Sequence, residues 1–223
     1  MQHRFGTVEN GISDLGGVYA SSANIRLALS YSPISNLSLG FGATKLKNYI
    51  DFNAKYALLK QTKDWSMPVS VTLFGNTVMD THGNSYAKSI YRMSYFAEII
   101  IACRISPKLS LQVAPSVLHY NAVDSLYRND MYAVTVSGRY KVSPQSSIMF
   151  NYMQQLTNHK DPKFKQQPGV TVGWEIATSS HAFQVFFTSL QGIVPQENIS
   201  YNQLDFSKRQ FLLGFNITRL WGF

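Results

Sequence analysis

The chain of 223 residues carries one cysteine, Cys103. A lone thiol excludes an internal disulfide and a cysteine metal cluster. Charged residues are scarce, at 14%, against a globular average of about 25%. No apolar run reaches the ~18 residues that a membrane helix needs. No glycine-rich loop follows a strand and opens a helix, which removes the common phosphate-binding motifs. No amphipathic helix, repeat or low-complexity tract is read along the chain. Met1-Gln2-His3-Arg4-Phe5-Gly6 lacks the apolar core of a signal peptide. His3-Arg4-Phe5 reads instead as the tail of a strand. The expectation is a chain truncated at its N-terminus, with a signal and a first half-strand upstream.

Aromatics, by contrast, are abundant: 13 Tyr, 14 Phe and 3 Trp. Hydrophobic residues make up 45% of the chain, and most alternate with polar ones. Period-2 segments bounded by turn residues fall at 1–6, 23–31, 37–46, 49–60, 68–76, 92–105, 109–119, 130–141, 146–154, 168–176, 182–190 and 210–223. Pro115 within the seventh cannot donate to a ladder, so a bulge is expected there. The connections alternate in length. Those at 32–36, 61–67, 106–108, 142–145 and 177–181 are short. Those at 7–22, 77–91, 120–129, 155–167 and 191–207 are long, and only 47–48 is short where a long one is due. Short turns at one end and long loops at the other are the outer-membrane arrangement. The reading is a single domain, 1–223, all-β: a twelve-stranded antiparallel up-and-down transmembrane β-barrel in the bacterial outer membrane.

The closing segment supports this. Phe211, Leu213, Phe215 and Ile217 alternate with Gln210, Gly214, Asn216 and Thr218, and the sequence stops at Phe223. Phe215, Ile217, Trp221 and Phe223 form the expected signal for barrel-insertion machinery. Arg219 falls on the apolar face near the strand end, where a long basic side chain can snorkel. Outward Tyr31, Tyr56, Tyr95, Tyr132, Tyr140, Tyr152, Trp174 and Trp221 fit interfacial girdles. Cys103 is expected to face lipid.

The net charge is +8, with Lys and Arg scattered rather than clustered. That argues against nucleic acid as a partner. It suits a solvated rim able to attract outer-membrane lipid and lipopolysaccharide phosphates.

Several stretches carry a family resemblance. They are His3-Arg4-Phe5-Gly6, Ala23-Asn24-Ile25-Arg26 with Tyr31, Leu58-Leu59-Lys60-Gln61 with Pro68-Val69-Ser70, and the run from Leu111 to His119. Gly173-Trp174-Glu175-Ile176-Ala177-Thr178, His181-Ala182-Phe183-Gln184, Phe187-Thr188-Ser189 and the run from Gly214 to Arg219 complete them. Together they resemble a Bacteroidota family of outer-membrane β-barrels of unknown function. The resemblance implies a membrane barrel, an upstream signal peptide and no assigned activity. Ser179 and Ser180 stand where that family usually has glycines.

Candidate site residues follow from the inward parity. Arg26, Lys55, Arg104, Arg139 and Lys141 are expected in the lumen with Asp51, Glu98 and Glu175. They can line an anion-preferring pore or form salt bridges that fill a narrow one. Phe74, Phe96, Ile100, Phe186 and Leu212 also point inward and favour partial occlusion. Glu175, His181 and Gln184 are expected to converge at the 177–181 turn, as a hydrogen-bonded clasp or a ligand contact; one His and one carboxylate are too few for a metal site. No cofactor is expected. His119, His159 and His181 show no spacing that fixes a base beside a serine, and His82-Gly83-Asn84-Ser85 reads as a turn, so no enzyme is expected. The expected role is a narrow passive channel or porin for small polar or anionic solutes. The alternative is a non-conducting scaffold, or partner subunit of an outer-membrane complex, acting through its long loops. The 191–207 loop, with Tyr201 and Phe206, is the first place to look for a plug or a protein-partner patch.

Overall fold

The computed structural model describes residues 1–8, 23–83 and 86–221. Phe223, Asn84 and Ser85 lie outside the described residues. Twelve antiparallel strands close into one barrel, each paired with its sequence neighbours and β1 paired with β12. The strands are β1 Gln2–Thr7, β2 Asn24–Ile34, β3 Leu37–Thr44, β4 Tyr49–Leu59, β5 Ser70–Met79 and β6 Met93–Arg104. They continue as β7 Leu109–Tyr120, β8 Asp130–Lys141, β9 Ser146–Gln155, β10 Gly169–Ala177, β11 His181–Thr188 and β12 Leu212–Arg219. Closure leaves no sheet edge, so backbone donors and acceptors are satisfied between strands, as hydrocarbon requires.

Alternation decides which side chains meet lipid. On β2, Leu27 and Leu29 are 60% and 68% exposed. On β8, Tyr132, Val136 and Tyr140 face out, while Met131 and Ala133 are fully buried inside. The expected inward Phe96, Phe186 and Leu212 are likewise buried. Cys103 sits on the outer face, where its thiol donates to the Pro68 carbonyl of the neighbouring turn. Arg219 stays near the strand end with its guanidinium 5.4 Å from the Trp221 ring.

Two expectations need correction. Pro115 causes no bulge: Glu98↔Ser116 and Ile101↔Val113 keep one register across β6 and β7, and Pro115 pairs with Val134 on β8. The strand absorbs the missing donor without an extra residue. Irregularities fall elsewhere, between Arg4 and Thr7, Tyr31 and Ile34, and Ala57 and Leu59. Second, a helix exists: α1, Pro195–Tyr201. Pro195 at its first turn presets the helical φ and forfeits no helical bond. Seven residues are too few to reveal a 3.6-residue period, so the pattern search passes over it.

A plugged lumen as the candidate functional site

The segment joining β11 to β12 folds back into the barrel and brings α1 with it. Ile199, 2% exposed, packs into a cluster with Phe96, Leu118, Met131, Ala133 and Met153 from the inner wall. Val194, just before the helix, is buried with Tyr49 and Val78. Polar residues tie the same segment to other strands. Gln196 donates from Nε2 to Asn76 Oδ1 on β5 at 2.8 Å. Glu197 accepts from the Tyr49 hydroxyl on β4 and from Lys47 Nζ at 2.8 Å. The Lys47 ammonium also lies 4.8 Å from the Tyr201 ring. Burial, reinforced by Glu197, holds the Tyr201 hydroxyl well above the ordinary phenol range.

The long loops secure the far end of the helix. His159 Nε2 donates to the Ser200 carbonyl at 2.9 Å, while its Nδ1 accepts from the Arg128 amide at 3.1 Å. That pair of bonds requires the neutral ring. Burial accordingly lowers the His159 pKa, with the nearby Arg128 charge adding to it against the Ser200 bond. Tyr127, Phe164 and Tyr201 surround the imidazole at centroid distances of 4.6, 5.3 and 6.0 Å.

A belt of polar side chains runs along the inner wall. Arg26 meets Asp51 through two bonds, Nε–Oδ1 at 2.8 Å and Nη2–Oδ2 at 2.6 Å. Asp51 is fully buried, and Asn76 donates to it at 3.3 Å, linking the pair to Gln196 of the plug. Gly42 leaves the room for this pair: a Cβ there would lie 2.5 Å from Arg26 Nη2 and 2.6 Å from Asp51 Oδ1. On the opposite side Arg139 and Glu175 approach to 2.6 Å. Glu175 accepts from Gln184 at 2.8 Å, Gln184 accepts from Asn216 at 2.8 Å, and Asn216 accepts from Arg4 at 3.2 Å. Lys55, Phe74 and Glu98 lie side by side across β4, β5 and β6, with the Lys55 ammonium 5.5 Å from the Phe74 ring. Arg104 and Lys141 stand at the short-turn rim beside Lys108 and Arg139.

The expected convergence of Glu175, His181 and Gln184 is half right in geometry. Glu175 and Gln184 pair across β10 and β11, but His181 does not join them. It stacks on Phe183 and accepts at Nδ1, or donates from it, in a 3.0 Å contact with Ser180 Oγ. The reason is parity: His181 and Gln184 are three residues apart on one strand, so they face opposite sides. Among the described residues no carboxylate backs the Ser180–His181 contact. Phe215 and Ile217 face outward on β12, and Trp221 is exposed. Sequence reasoning passed over Arg4, Lys47, Tyr49, Asn76, Gln196, Glu197 and Asn216. Alternation had set Asn76 and Asn216 on the polar face without singling them out and, applied to β1, would have found Arg4; no sequence signal marks Glu197.

Between the plug and the short-turn end lies a cavity of about 630 Å³. Asn198 and Leu190 border it from the plug segment, and Arg4, Gln112, Arg139, Asn151, Gln184 and Asn216 line it from the wall.

This geometry defines a closed twelve-stranded membrane β-barrel whose lumen is filled at one level by its own loop. The chain belongs to the membrane bound beta barrel domain family (DUF5777), whose model matches residues 1–221. Among solved structures it is similar to a NanC porin, at 9% identity and TM-score 0.62, with 99% of each chain covered. It is also similar to a KdgM porin, at 10% identity and TM-score 0.62, covering 90% of this chain and 93% of that one. At these identities the likeness is one of fold. No curated protein matches the sequence.

Proposed function

We propose that the protein is a narrow outer-membrane channel for small polar or anionic solutes, closed in this state by its 189–211 segment. The observation that carries this reading is the polar cavity beneath the plug. A barrel built only as a scaffold has no need of a lumen lined by arginines and amides, since burying polar groups is costly without partners. The plug helix is held to the wall by packing and hydrogen bonds rather than by a strand ladder, as a movable gate would be. The NanC and KdgM structures, described as porins, share the fold and so agree with this reading without naming a solute. A second reading has its own support: Ile199 is packed as tightly as a permanent core residue. On that reading the barrel does not conduct, and its long loops and basic rim meet a protein partner or lipopolysaccharide.

Planar-bilayer recording separates the two. The wild type and a variant with residues 193–204 replaced by a short Gly-Ser linker are compared in a salt gradient. Discrete, anion-biased steps that become frequent in the excised variant support the channel. Silence from both, with heat-modifiable gel mobility proving that both are folded, supports the scaffold.

A further inference from the structure

Below the plug the lumen holds a cation that no carboxylate among the described residues neutralises. Arg4 lines the 630 Å³ cavity from β1. Among the described residues, its hydrogen bonds leave from Nη1, to the His3 carbonyl at 3.0 Å and to Asn216 Oδ1 at 3.2 Å. Both acceptors are neutral. Nε is buried without an acceptor. The Phe186 ring covers the guanidinium at 4.4 Å. Among the described residues no Asp or Glu forms an ion pair with Arg4. A part-buried charge without a counter-charge is among the costlier features a fold can carry.

The surroundings match the charge. Among the described residues, the other ionisable side chain lining this cavity is Arg139, and no carboxylate lines it. Arg139 is bound on one side by Glu175, which is itself held by Gln184. Asn151 and Gln112 add amide donors to the same wall. A smaller concavity of about 220 Å³ adjoins at the rim, sharing Ser110 and Arg139 and adding Arg104, Lys108 and Lys141. Positive charge therefore continues from the rim inward to Arg4, an arrangement that draws anions.

We propose that this cavity is an oxyanion seat, with Arg4 as its principal recognition residue and Arg139 at its entrance. Its ligand is a small solute bearing a carboxylate or phosphate, whose oxygens accept from the Nη2 donors, which none of the described residues engages. A guanidinium suits such groups by charge and by planar donor geometry. The seat gives the channel reading its solute class, yet occupancy is measured without conduction.

The test is isothermal titration of the detergent-folded full chain with sodium phosphate and with sodium acetate, sodium chloride serving as the ionic-strength control. One saturable site for phosphate, acetate or both, absent with chloride, is the expected result; the anion that saturates it identifies the headgroup class. Arg4→Gln is expected to weaken that binding about ten- to a hundredfold. Arg4→Lys keeps the charge, loses the fork and falls between. Heat-modifiable mobility checks folding, and if Arg4→Gln does not fold, Arg4→Lys and the wild type decide the matter. No saturable oxyanion binding to the wild type overturns the proposal, as does undiminished binding to a folded Arg4→Gln. Binding with a silent bilayer would keep the seat and remove the channel; conduction without binding would do the reverse.

Discussion

Replacing Glu197 by alanine removes the one carboxylate on the plug helix. Its side chain is 9% exposed and holds two donors from the barrel, the Tyr49 hydroxyl and the Lys47 ammonium. The tyrosine bond is buried and charge-assisted, worth about 1.5–3 kcal/mol. Lys47 is 41% exposed, so solvent screens its share to under ~1 kcal/mol. On the channel reading, a loss of roughly 2 kcal/mol from the plugged state raises the open-to-closed ratio about thirtyfold. Gln196 and Ile199 still hold the helix, so the plug loosens rather than leaves. Glu197→Gln keeps an acceptor for Tyr49 but no charge for Lys47, and its effect is expected to be the smaller one. The assay is open probability of single proteins in a planar bilayer at fixed voltage. A folded Glu197→Ala that opens no more often than the wild type would refute the assignment of Glu197 as an anchor.

Three further outcomes follow from the geometry. Asp51→Asn strips Arg26 of its buried carboxylate and is expected to cost about 3 kcal/mol, read as a lower guanidinium midpoint in detergent; an unchanged midpoint would mean that the pair contributes no net stability. Val136→Arg puts a charge on the lipid face of β8 and is expected to cost about 2–4 kcal/mol if the site lies near the bilayer midplane, with Ser137→Arg, on the lumen face, as the comparison; equal losses would contradict the sidedness. The His159 contact should weaken in acid. Burial lowers the folded-state pKa of His159, so its contribution is fully present above the ordinary value of about 6.5. It is lost as pH falls through the lowered one, because the released loop binds the proton more readily. Protease cleavage within 156–168 is expected to rise as the pH is lowered below 6.5 (~6.5 being the free-histidine value) and to lose that dependence in His159→Gln.

Much of the fold was legible because a strand writes its burial pattern locally. Leu27 and Leu29 face lipid for the same reason that Arg26 does not: neighbouring side chains on a strand point to opposite sides. Loop-length alternation then separated the two ends of the barrel. The sequence reading set His181 in the 177–181 turn; the structure makes it the first residue of β11, where the same rule turns it away from Gln184. The sequence also marked the inward parity of Asp51, Glu175 and Arg139.

Which inward residues touch was decided by tertiary structure. Arg26 finds Asp51 two strands away because β3 places Gly42 between them. Arg4 meets Asn216 only because β1 closes on β12 across nearly the whole chain. The plug depends on contacts that no local period encodes: Ile199 on a wall built from β6 to β9, and Glu197 on Tyr49 nearly 150 residues earlier. Alternation is a property of each strand by itself and can be read one residue after another. Closure, the plug and the pairing of Arg4 with Asn216 are properties of pairs distant in sequence, and only the folded barrel brings those pairs together.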